Sequence, residues 1–238
     1  MLLSPRRALA AVLVLCAATA GCSDLDEPGQ GLARNDLVSE LAAQMSGAAG
    51  LTYEASYQLS GGGTATVAQA QRPTRSAYVY PGGKVTVTAD ATTQCRTATN
   101  ATTCTMTAPA TPTSPPPAKV FEGADGAGMV LPSTVLALLN AAVLDNDVEV
   151  VQHDTTIAGR HATCVRLSGV DDAATRDFTT CITNEGALGS FNGFLNSIRV
   201  DVAMTHYAEK VADEMFEVPK AAKLVDRRGR PAAQRPAS

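Results

Sequence analysis

Four cysteines in the body of the sequence are spaced as cross-linking residues: Cys95, Cys104, Cys164 and Cys181. If Thr99 and Asn100 are the two residues of a hairpin turn, Cys95 faces Cys104 at a non-hydrogen-bonded position. The Cα atoms of such a pair lie about 4.5 Å apart, which is within the range of a disulfide. Three pairings of four cysteines are possible, and we expect the sequence-near one, Cys95 with Cys104.

The same counting brings Cys164 opposite Cys181, because both are equally distant from the turn signal at 172–173. Both sulfurs then lie on the outer face of two neighbouring strands. In the chain-entropy model each bridge stabilises the fold by roughly 2.5 to 3 kcal/mol. A zinc site is the alternative use of the four thiols, but the sequence has no CxxC pair and no HxxxH. The side chains expected on the opposite, inner face are Val165, Leu167, Phe178 and Ile182.

Other side chains that could do chemistry do not form a motif. His153, His161 and His206 come from different predicted strands, and the adjacent acids Asp171 and Asp172 are typical of a solvated turn. No GxSxG elbow, HExxH helix, phosphate-binding P-loop or GxGxxG unit occurs. We therefore expect no catalytic residues, no metal and no cofactor.

The N-terminus has the pattern of an export signal. Residues 1–21 contain Arg6 and Arg7 and then an apolar run, 8–18, which is too short to span a bilayer. Small residues stand directly before Cys22, as in the lipobox of bacterial lipoproteins, although Thr19 replaces the usual Leu. We expect diacylation of Cys22 and attachment to the extracytoplasmic face of the cell membrane; ordinary secretion with Cys22 as a free thiol is the alternative.

Charge excludes one class of partner. The chain has 23 acidic and 19 basic residues, a formal net charge of −4. Four of the basic residues stand in the Pro/Ala-rich tail 227–238, so the folded part is more acidic still. Nucleic acid has no basic surface to bind, and an acyl group, not a basic patch, must provide membrane attachment.

Periodicity predicts a single domain over 35–226, after a flexible tether over 22–34 and before a disordered tail over 227–238. A helix is expected from about 36 to 48 and an apolar helix from 133 to 144. The Pro-rich stretch 108–118 is expected to be a surface loop, and the Gly run 123–128 another. Antiparallel strands are expected near 53–59, 64–70, 75–80, 84–89, 92–97, 102–107, 147–153, 161–168, 175–184, 186–192 and 197–206.

The order of these parts resembles the bacterial lipoprotein-carrier superfamily, the LolA/LolB-like group with its actinobacterial LppX/LprG-like lipoproteins. The resemblance is carried by Cys22, the strand Tyr53–Tyr57, the apolar helix 133–144, the pair Cys164 and Cys181, and the closing stretch 215–219. It implies an α+β fold in which an incomplete antiparallel β-barrel wraps over two helices. It also implies a lipid or acyl-chain ligand bound between sheet and helices, for transport or sensing.

By alternation alone, ten apolar side chains would line such a site. A filled core is the other interpretation, in which the chain is a regulatory or structural lipoprotein that binds an envelope protein partner. The lining candidates are Tyr57, Val85, Val87, Leu136, Leu139, Val165, Leu167, Phe178, Val200 and Val202.

Overall fold

A computed structural model of the chain describes residues 28–99, 101–111, 116–171 and 173–229, with side chains from Asn35 onward. The predicted export signal, Cys22, Asp172 and the tail from residue 230 lie outside the described residues.

Three α-helices and twelve strands make up the described part of the chain. The helices are α1 Pro28–Gly47, α2 Glu122–Gly126 and α3 Pro132–Leu144. The strands are β1 Tyr53–Leu59, β2 Thr64–Gln71, β3 Thr74–Tyr80, β4 Gly83–Val87, β5 Thr92–Ala98, β6 Ala101–Thr107, β7 Glu149–Ile157, β8 Arg160–Ser168, β9 Phe178–Thr183, β10 Leu188–Leu195, β11 Ile198–Ala208 and β12 Lys223–Asp226.

All twelve strands belong to one sheet, in the order β12-β6-β5-β4-β3-β2-β1-β11-β10-β9-β8-β7. The sheet is open, with β12 and β7 at its two edges. The α+β class is confirmed, and so is a barrel that does not close. The sheet is not wholly antiparallel as predicted, because β12 pairs with β6 in the parallel direction.

One face of the sheet, here called the inner face, packs against the helices. Alternate residues of β1 are buried, from Tyr53 to Leu59, because successive side chains of a strand point to opposite faces. α1 contributes Val38, Leu41, Ala42 and Met45, which recur at helical spacing. α3 contributes Val135, Leu138, Leu139 and Ala142 to the same cluster.

Part of the outer face is covered by the segment that follows β11. A short 3-10 helix, Asp213–Phe216, places Phe216 against Ala68 and Ala77, where the small side chains leave room for the ring. Lys84 donates to the backbone oxygen of Glu217 at 2.7 Å and ties this segment to β4. The stretch 211–219 therefore closes the outer face.

Both predicted disulfides are present, with the predicted register. Cys95 lies opposite Cys104, and Cys164 opposite Cys181, each with Cα atoms 3.9 Å apart. All four belong to the outer face and are buried. Because disulfides form in oxidising compartments, the bridges indicate a chain that works outside the cytoplasm.

The helices differ from the prediction in two ways. α1 begins at Pro28, so residues 28–34, predicted as tether, are helical; proline suits a first helical position, whereas the glycines nearby favour a flexible chain. The Gly run predicted as a loop includes α2, so three helices, not two, lie in the described part of the chain. None of the described helices is both long enough and apolar enough to cross a membrane.

The C-terminal end of the described chain pairs with β6. The strand β12 is not among the predicted strands, and the N–H of Arg227 after it donates to the oxygen of Met106 at 2.7 Å. The described chain continues to Gly229, past the predicted start of the tail.

Candidate functional site

A hollow of about 190 Å³ lies between the end of α1, the start of α3 and the inner face of β1, β2 and β3. It forms where the two helices meet, because the last turn of α1 lies beside the first turn of α3 there. Its lining is mainly apolar and contains no residue charged at neutral pH. The lining residues are Met45, Ser46, Ala48, Ala49, Tyr53, Val67, Gln69, Tyr78, Pro132, Ser133, Leu136 and Gly186.

The hollow has an apolar floor and a polar rim. Met45, Ala48, Tyr53 and Val67 are each at most 5% exposed and form the floor. The rim carries the hydroxyl groups of Ser46 and Ser133, two exposed residues. An amphiphilic ligand would therefore bury its apolar end and keep its polar end near water.

Two glutamines on β2, Gln69 and Gln71, donate hydrogen bonds to the backbone of the turn that borders the hollow. The amide nitrogen of Gln69 lies 2.9 Å from the oxygen of Ala48 and 2.8 Å from that of Ala49. The amide nitrogen of Gln71 lies 2.8 Å from the oxygen of Ala49 and 3.0 Å from that of Leu51. The accepting oxygens belong to the short 3-10 helix Ala48–Gly50 and to Leu51, which follow α1, and the bonds fix this turn against the sheet.

Gly186 lets the β9–β10 turn approach α1 closely. Its φ is +87°, and a Cβ built there would clash with the backbone oxygen of Gln44. The amide of Gln44 in turn donates to the oxygen of Asn184 at 2.8 Å. Only glycine combines that conformation with that contact, so this wall of the hollow is fixed by one residue.

Two of the four strand residues that line the hollow are tyrosines, Tyr53 and Tyr78, and both remain uncharged at neutral pH. Tyr53 stacks on Tyr207 with centroids 5.7 Å apart, and Tyr78 meets Phe121 edge-on at 5.4 Å. Burial raises the pKa of Tyr53 above its usual value, and neighbouring tyrosines add to the shift. Burial raises the pKa of Tyr78 as well. The site therefore favours a neutral or apolar group over an ion.

The structure places all ten predicted lining residues in one apolar cluster on the inner face. Of the ten, Leu136 lines the hollow, and Tyr57 lies deeper, with its hydroxyl donating to the oxygen of Leu188 at 3.0 Å. The others belong to the packed core around it. The four that are completely buried are Val85, Leu139, Val165 and Leu167. Their role as ligand contacts stays a prediction.

Sequence reasoning missed most of the hollow's lining. Tyr53 and Val67 could have been found, since they share the inner face with Tyr57 by alternation. Gln69 is a polar residue on that face, and Gly186 lies in a turn far along the chain from Gln44. No local pattern predicts that Gln69 and Gly186 lie beside the end of α1.

Larger clefts in the described part of the chain are charged and open. One of about 450 Å³ on β5 and β6 is lined by Arg96, Lys119 and Arg227 among others. One of about 550 Å³ on the outer face includes Arg75 and Asp213, which form an ion pair. Both have charged side chains in their lining, which the hollow does not.

The polar residues considered for catalysis lie apart from the hollow. All three histidines, His153, His161 and His206, are exposed. Asp171 pairs with Arg176 at 2.9 Å, and its N–H donates to Asp145 at 2.8 Å, as in a solvated turn. Within the described ranges, no three metal-binding side chains come together.

Comparisons with known proteins find distant likenesses in structure. No family model matches the sequence, and no curated protein matches it. An uncharacterised conserved protein from Thermus thermophilus is 10% identical, with a TM-score of 0.46 over 80% of this chain and 99% of that chain. MucB is 12% identical, with a TM-score of 0.44 over 80% of this chain and 66% of the MucB chain. No family is assigned to the chain on these similarities.

Proposed function

We propose that this protein is an extracytoplasmic lipoprotein, exported by residues 1–21 and anchored by acyl chains on Cys22, that binds a lipid or other hydrophobic ligand between its sheet and helices. It acts by binding, for transport or sensing, and makes or breaks no bond. The observation that supports ligand binding most directly is the uncharged hollow beside α3, with its apolar floor and hydroxyl rim.

The size of the hollow limits what it holds. Pockets for drug-sized ligands are about 300 to 1,000 Å³, so 190 Å³ suits one short apolar chain or the end of a longer one. The resemblance to lipoprotein carriers supplies the ligand class, an acyl chain. The apolar end of the acyl chain would lie against Tyr53 and Val67, and the polar end of the ligand would lie beside Ser46 and Ser133.

A second function is favoured by the dense packing around the hollow. Most of the predicted lining residues are buried against one another, as expected for a filled core. In that case the protein is a regulatory or structural lipoprotein, and its contacts with an envelope protein are made by its surface.

Native mass spectrometry separates the two functions. The mature protein, purified from a lipid-containing bacterial host, is expected to retain a bound acyl species as a discrete added mass. A Leu136→Trp variant fills the hollow and should lose that mass, whereas Leu144→Trp on the exposed end of the same helix should keep it.

Thermal melts of both variants provide the control for folding. If the wild-type protein carries no added mass and takes up no fluorescent fatty acid, ligand binding is excluded and the protein-binding function remains. The mass of the N-terminal peptide tests the anchor on Cys22 independently.

A further inference from the structure

The end of α3 and two turns lie together at one end of the strands. This edge of the sheet is formed by strand ends and is distinct from the edge strands β7 and β12. β8 and β10 run towards this edge and β9 and β11 return from it, so the 169–177 loop and the turn at 196–197 both lie there. α3 ends at Leu144, and β7 starts from the same edge at Glu149. We call this the hairpin edge.

Large apolar side chains are exposed along the hairpin edge. Leu144 is 84% exposed, Phe194 57% and Ile198 59%. In the part of the chain that the structure describes, two other large apolar side chains are comparably exposed, Val151 and Leu224, and both lie within the edge strands β7 and β12. Burial of three such groups would be favourable, so we interpret this edge as a contact surface that a partner covers.

The β10–β11 turn presents its apolar residues on a tight tip. Leu195 pairs with Ile198, which leaves Asn196 and Ser197 as the turn, with φ of 51° and 66°. Two residues with positive φ form the hairpin turn that matches strand twist, so the tip is short and well defined. Phe194 is adjacent, opposite Arg199.

The packing of α1 against α3 bears on where the N-terminal end of the described chain lies. α1 ends beside the start of α3, at the hollow, so an antiparallel arrangement of the two packed helices would bring the start of α1 towards the side where α3 ends. Cys22 precedes Pro28 by six residues, which span at most about 22 Å when fully extended. An acyl anchor at Cys22 would hold the hairpin edge close to the bilayer.

We propose that the hairpin edge contacts the membrane surface, with Leu144, Phe194 and Ile198 inserted at the boundary between headgroups and acyl chains. This rests on the anchor at Cys22 proposed above. The bilayer it fits is neutral, because the acids of this edge outnumber its basic residues; the acids are Asp145, Asp147, Glu149, Asp171 and Asp177, and the basic residues are Arg176 and Arg199. The hollow then opens at the other end of the helices, and its ligand exchanges on the aqueous side.

The absence of Trp in the sequence makes a direct test possible. Phe194→Trp places a single indole at the tip, and Leu224→Trp is the matched control, since Leu224 is 49% exposed on the distant edge strand β12. Each protein is produced without residues 1–21 and without acylation, so that Cys22 keeps its thiol, and is coupled through Cys22 to a maleimide phospholipid in phosphatidylcholine vesicles. The remaining cysteines are in the two disulfides, so Cys22 is the reactive thiol.

The expected result is a blue-shifted emission of the indole at 194 and severalfold stronger quenching by lipids brominated in their acyl chains than at 224. Equal quenching at both positions overturns the proposal, and so does stronger quenching at 194 when phosphatidylglycerol replaces part of the phosphatidylcholine. Because the coupling supplies the anchor chemically and the indole lies far from the hollow, failure here is distinguishable from failure of acylation or of ligand binding.

Discussion

Gly186 illustrates how one residue shapes the site. Its positive φ costs an alanine roughly 1 to 2 kcal/mol, and the contact with the oxygen of Gln44 adds a clash with backbone. We predict that Gly186→Ala lowers the free energy of unfolding by about 3 kcal/mol in denaturant titrations. Gly159→Ala is the control, because φ there is +76° with open space around the Cβ, and it should cost only about 1 kcal/mol. Equal losses would mean that α1 does not pack against this turn.

Burial of the tyrosines makes the stability of the fold depend on pH in the alkaline range. All five have pKa values raised above the usual value of about 10, in each case first by burial. Because the folded protein favours the neutral phenol, this stability is fully present below about pH 10 and is lost as the pH rises further. The shifts are largest for Tyr53 and Tyr57, so the tyrosinate absorbance of these two rings should appear only as the protein unfolds, whereas the denatured chain titrates normally. Gradual ionisation of all five rings in the folded protein near pH 10 would contradict their burial.

Among the elements, α3 has a buried middle and an exposed C-terminal end. Leu139 is completely buried in the core, and Leu144 is 84% exposed at the last position of the helix. Leu139→Ala should lower the unfolding free energy by about 2 to 5 kcal/mol, and Leu144→Ala by about 0.5 kcal/mol or less. Calorimetric or denaturant measurements check both values. A large loss at Leu144 would indicate that the hairpin edge is packed against the protein itself.

An element can be predicted from the sequence when the pattern that produces it lies within a short stretch of the chain. The observed bounds of β1 match the prediction because Tyr53 to Leu59 alternate strictly, and both disulfides follow from counting across turns. β12 cannot be predicted from local sequence because its four residues pair with β6, far earlier in the chain. The hollow cannot be predicted for the same reason, since Gln69 and Gly186 shape the hollow through contacts with the end of α1 that no local pattern encodes.

For the whole molecule, the two proposed surfaces lie at opposite ends of α1 and α3. The hairpin edge would meet the bilayer, and the hollow would open towards water between the last turn of α1 and the first turn of α3. Such an arrangement suits a protein that stays on the membrane while it collects or senses an amphiphile from the aqueous side.

Photolabelling with a fatty acid that carries a terminal diazirine shows whether an apolar chain occupies the hollow. Labelling is expected in peptides that contain Met45 to Ala49, Tyr53, Val67 or Leu136, and unlabelled fatty acid should compete with it. The Leu136→Trp variant should abolish this labelling, and Leu144→Trp should preserve it. Labelling confined to the hairpin edge, or no labelling above that of an unfolded control, would contradict a ligand site between the helices and the sheet.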